Sequence, residues 1–64
     1  MRHYKVEFYM VNSRGTKLGE PVVLRFYSGS DLDTECLAFR RMLLDYGRAV
    51  GHTGSYVEII SIEK

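Results

Sequence analysis

Apolar side chains recur at every second position near the start of the chain. Tyr4, Val6, Phe8 and Met10 fall on one face, and His3, Lys5, Glu7, Tyr9 and Val11 on the other. Period two in a run rich in aromatic and β-branched residues predicts a strand over 4–11. The alternation returns as Val22, Leu24 and Phe26 against Val23, Arg25 and Tyr27. This predicts a second strand over 22–27, opened by Pro21 and ended by Ser28-Gly29-Ser30. Residues 12–20 hold Asn12, Ser13, Gly15 and Gly19 and read as a hairpin loop, part of which extends the strands.

The period then changes. Leu32, Cys36, Phe39, Leu43, Tyr46 and Val50 alternate spacings of four and three, which predicts an amphipathic helix from 31 to about 50. Ser30 or Asp31 is the expected N-cap, with Asp33 and Glu35 at the positive end of the dipole and Arg48 in the last turn. Gly47 or Gly51 is expected to supply the left-handed terminus. Gly51 to Ser55 reads as a loop, and Tyr56 to Ile62 as a third strand. Its facing stays open. With Glu58 in solvent, Val57, Ile59 and Ser61 enter the core, and Tyr56, Ile60 and Ile62 lie on the opposite face.

One α+β domain is therefore expected over 1–64, in the order β-β-α-β. Its sheet is three-stranded and mostly antiparallel, with order 2-1-3 and the helix on one face. The expected core is Val6, Phe8, Leu24, Phe26, Leu32, Phe39, Leu43 and Val57.

Composition narrows the function more than the fold. Apolar residues make up 45% of the 64 and charged residues 27%, the balance of a folded domain rather than a disordered one. A net charge of +1 selects neither nucleic acid nor membrane. Neither a signal-peptide pattern nor an apolar run of about 20 residues is present, so a cytoplasmic protein without membrane contact is expected. Cys36 is the single cysteine, which excludes an internal disulfide, and its place in the apolar stripe reads as burial. His3, Cys36 and His52 lack the spacing of metal ligands. Phosphate-binding and nucleophile motifs are missing. Asp31 and Asp33 are explained as capping residues, Tyr46 as core and His52 as a loop residue. No catalytic residue, metal or cofactor is expected, and the chain reads as a non-enzymatic binding module.

Two surfaces are left over. On the helix, Leu37 and Leu44 lie together away from the core stripe, with Arg40, Arg41 and Arg48 around them. Leucine and arginine mixed on an exposed stripe suit a protein partner. The uncovered sheet face is expected to gather Lys5, Tyr9, Arg25, Tyr27, Tyr56 and Ile60. Such a set can stack on single-stranded nucleic acid, the alternative reading, or be buried against protein. Val23, Tyr27, Tyr56, Ile60 and Ile62 on that face, with two open strand edges, also lead to an expected homodimer, by a two-fold face-to-face contact or by edge pairing, in which case the third strand is favoured over the second.

The layout of elements, with Lys5-Val6-Glu7-Phe8 in the opening strand and the amphipathic helix, resembles small phage proteins that bind and disable host factors. Examples are the T4-type antitoxin that neutralises a host ribonuclease toxin and the T7-type inhibitor of bacterial RNA polymerase. The resemblance implies an inhibitor that binds a host protein and carries no chemistry of its own. Some of those proteins are strongly acidic, whereas this chain is nearly neutral with an arginine-lined helix.

Overall fold

A computed structural model describes residues 2–64. Strand β1 (Arg2–Val11) lies at the centre, with β2 (Lys17–Ser28) and β3 (Tyr56–Glu63) antiparallel on either side, in the order β2-β1-β3. Helix α1 (Leu37–Ala49) connects β2 to β3. The expected β-β-α-β architecture is the one observed. Tyr4, Val6, Phe8 and Met10 are each at most 1% exposed, so the period-two stripe of the central strand is the floor of the core. Val22, Leu43, Leu44 and Val57 complete its buried part. Leu24, Phe26, Leu32, Phe39, Tyr46, Ile59 and Ile62 pack around it, half-buried.

The hairpin loop is shorter than expected, residues 12–16, because Asn12 organises it alone. Its Oδ1 accepts from the backbone amides of Arg14 and Thr16, both at 2.9 Å, the local bonding that makes asparagine a turn former. Strand β2 then starts at Lys17. It is interrupted between Leu18 and Val22, where Gly19, Glu20 and Pro21 oppose the single residue Tyr9. Pro21 has no amide to give a ladder, so a bulge on an edge strand is where it fits.

A second irregularity settles the facing of β3. Glu7 pairs with Ser61 and Phe8 with Ile59, leaving Ile60 as an extra, unpaired residue. A one-residue bulge reverses the parity of everything beyond it. Val57 and Ile59 therefore enter the core before the bulge, and Ile62 enters it afterwards. The expectation that Ser61 joins the core and Ile62 the open face is corrected. Ser61 pairs with Glu7 and is exposed.

The helix also departs from expectation. It begins at Leu37, six residues later than expected, with Cys36 as a non-helical N-cap whose side chain makes no capping bond. The Asp33 side chain accepts from the Glu35 amide at 2.9 Å, and the Cys36 amide donates to the Asp33 carbonyl at 3.1 Å. Aspartate thus closes a turn of its own in competition with the helix. Asp31 pairs instead with Arg2, tying residues 31–36 to the start of β1. Cys36 is exposed rather than buried, and Val50, past the helix end, is 49% exposed. At the C-terminus, Gly51 has φ +97°; its amide donates to Arg48 and that of His52 to Gly47. This is the Schellman arrangement, so Gly51 is the left-handed residue and Gly47 lies inside the helix.

Gly47 sets the approach of α1 to the sheet. It is buried, and a Cβ there would overlap Met10 Sδ and come within 3.0 Å of Met10 Cε. Gly47 lies about 40° around the helix from Leu43, on the side of Leu44. The buried face is accordingly rolled toward Leu44, which is 9% exposed. The expectation of an exposed Leu44 is corrected.

Gly47→Ala should crowd Met10 at a cost of about 1–3 kcal/mol, against a gain of roughly 1 kcal/mol in helix propensity. The expected net loss in urea denaturation is about 1 kcal/mol, and trimming Met10 as well should show favourable coupling in a double-mutant cycle. The bulge gives a second test. Ile60→Glu should leave stability within about 0.5 kcal/mol, whereas Ile62→Glu should cost more than about 2 kcal/mol through burial of a charge. Equal effects would place the bulge elsewhere.

Candidate protein-binding groove

The roll of α1 opens a groove of about 330 Å³ between the first half of the helix and edge strand β3. Leu37, Arg40, Arg41 and Leu44 line it from the helix, Tyr56 and Val57 from the strand, and Ser55 from the loop before it. Four of the five expected helix-surface residues thus meet one residue of the expected sheet set, Tyr56. Leu44 and Val57 are nearly buried, whereas Leu37 stands at the mouth 83% exposed. Tyr56 is 60% exposed at the edge.

The arginines do different things. Arg40 Nη1 donates to the Thr34 carbonyl at 3.0 Å and Nη2 to the Val57 carbonyl at 3.3 Å, so one half-buried side chain holds the turn before α1 against β3. Arg48 lies outside the groove. Its Nε and Nη2 donate to the Gly54 carbonyl at 3.3 and 2.9 Å, closing the loop between α1 and β3. Only Arg41, exposed and paired through Nε with Asp45 at 3.2 Å, keeps both terminal nitrogens without a partner among the described residues.

The opposite sheet face is zoned. Lys5 and Tyr9 lie on the central strand. Lys5 faces Arg25 across one ladder and Glu63 across the other, with its Nζ 3.7 Å from that carboxylate. Lys17 reaches Glu58 at 3.7 Å and sits 5.1 Å from the Tyr9 ring centroid. Tyr27 packs on His3 at 5.1 Å between ring centroids. Both lysines therefore lie beside a glutamate, and Arg25 alone of the expected basic set has no carboxylate within salt-bridge distance among the described residues. The exposed apolar residues divide into Val23 and Tyr27 on β2 and Tyr56 and Ile60 on β3, with Lys5 and Glu7 between them. Bulges also interrupt both outer strands, which blunts them as templates for strand pairing.

Among the described residues, no three His, Cys, Asp or Glu side chains cluster as metal ligands, and no helix is long and apolar enough to cross a membrane. His52 is half-buried beside the β2 bulge at Gly19. No family model, curated protein or solved structure matches the chain.

Arg40→Ala should lower stability by about 1–2 kcal/mol, since two carbonyls lose a charged donor. Arg40→Lys should recover only part, because an ammonium cannot span both acceptors. Arg41→Ala should change stability by less than about 0.5 kcal/mol, as expected for an exposed helix pair. Thermal denaturation of the three variants separates a structural arginine from an available one.

Proposed function

We propose that this chain is a non-enzymatic, cytoplasmic protein-binding module, and that it engages its partner through the groove between α1 and β3. The observation that carries the reading is Leu37. A leucine 83% exposed buries little in the fold, yet it borders a preformed apolar cleft with two arginines on its wall. Burial of a leucine beside arginine is the composition that distinguishes interface cores from ordinary surface. An inhibitor of a host protein, the class the resemblance implies, needs nothing beyond such a surface.

Ion pairing on the sheet face weighs against the nucleic-acid alternative. A phosphate backbone is held by uncompensated cations, and both lysines of the face already have carboxylates. Self-association is less favoured for a related reason: the exposed apolar residues form two separated strips rather than one patch.

The test has two arms. Fluorescence anisotropy with labelled single- and double-stranded oligonucleotides at two salt concentrations should show no tight, salt-steep binding. Affinity capture from cell extract should retain a protein on the wild-type chain and on Tyr9→Ala but lose it on Leu37→Glu, with the circular dichroism of all three unchanged. Salt-sensitive oligonucleotide binding abolished by Tyr9→Ala would reverse the assignment.

A further inference from the structure

We infer that the groove takes a short segment of the partner in which an acidic side chain stands next to a bulky apolar one. This rests on the groove being the binding surface and adds the chemistry of its occupant. The cleft, at about 330 Å³, lies at the small end of the roughly 300–1,000 Å³ range of ligand pockets. It has room for one large side chain with its flanking backbone. The floor is Leu44 and Val57, and Leu37 at the mouth can close over whatever enters. The apolar half of the specification follows from these three residues.

The acidic half follows from charge. Arg40 donates only to the neutral carbonyls of Thr34 and Val57, and no carboxylate lies within salt-bridge distance of it among the described residues. The first turn of α1 carries no acidic side chain. Arg41 is paired with Asp45 through Nε at 3.2 Å and still presents two unpartnered terminal nitrogens, the geometry for a bidentate carboxylate. The half-buried Arg40, without a carboxylate, and the two free nitrogens of Arg41 on a single wall favour an anion over a basic segment. A phosphate would meet the same charge. A nucleic acid nevertheless lacks the aliphatic side chain that Leu37, Leu44 and Val57 would bury.

A yeast-displayed library of random decapeptides, sorted separately on the wild-type chain and on Arg41→Glu, tests this directly. The wild type should enrich Asp or Glu adjacent to Leu, Ile, Met or Phe. The best peptide, made synthetically, should weaken about tenfold when its acid is replaced by the amide, the loss of one charge-assisted contact. Arg41→Glu should enrich Lys or Arg at the same place. Amide shifts in NMR titration should centre on Leu37, Leu44 and Tyr56, and Leu37→Ser should abolish them without loss of fold. Apolar peptides without charge bias, or no reversal in Arg41→Glu, would overturn the acidic specification and leave the groove standing. Shifts centred on Arg25 and Tyr27 would overturn the groove itself. No enrichment above an unrelated control, or a single-stranded oligonucleotide moving the groove amides in place of any peptide, would overturn both.

Discussion

The contact between Gly47 and Met10 governs how the helix lies on the sheet. Glycine removes the one Cβ that would hold α1 off the central strand, and the helix settles where its backbone meets the methionine thioether. Three things follow from that closest approach. Leu44 turns inward and becomes core. Arg40 comes against the backbone of β3 and bonds Val57. Leu37, about two turns before Leu44, is left pointing outward at the lip of the cleft. The candidate binding site is thus a by-product of a packing contact, formed by residues adjoining the core rather than by a separate insertion.

How much of this was legible in the sequence differs by element. Strand β1 was fully readable, because a central strand with one buried face must alternate, and Tyr4 to Met10 do so without exception. The helix was readable as an element but not in its rotation or its start. Hydrophobic periodicity weights apolar side chains and gives no weight to glycine, so the position that sets the roll of α1 is invisible to it. The late start was hidden because Asp31 and Asp33 suit a helix N-terminus and a turn equally well. Only three-dimensional partners, Arg2 for one and the Glu35 amide for the other, distinguish the two. The groove was half legible. Leu37, Arg40, Arg41 and Leu44 stood out as a cluster, but nothing in the sequence joined them to Tyr56.

Charge illustrates the gap between composition and surface. The nine basic and eight acidic residues suggest a neutral, unremarkable exterior. In the fold they are sorted. The open sheet face pairs its lysines with glutamates, two helix arginines are committed to backbone carbonyls, and Arg40 on the wall of one cleft is left without a carboxylate. Local electrostatics here depends on which carboxylates are within reach, and net charge does not report that.

The bulge at Ile60 has a consequence for how the chain finds its fold. A regularly alternating edge strand can slide two residues along its neighbour and still offer apolar side chains to the core. Strand β3 cannot, because its inward positions, 57, 59 and 62, are unevenly spaced. Sliding it by two residues would bring Ser61 and Lys64 in one direction, or Ser55 in the other, to positions that should be apolar. Misaligned sheets are therefore penalised once the helix closes over that face, and one unpaired isoleucine biases β3 toward its native register.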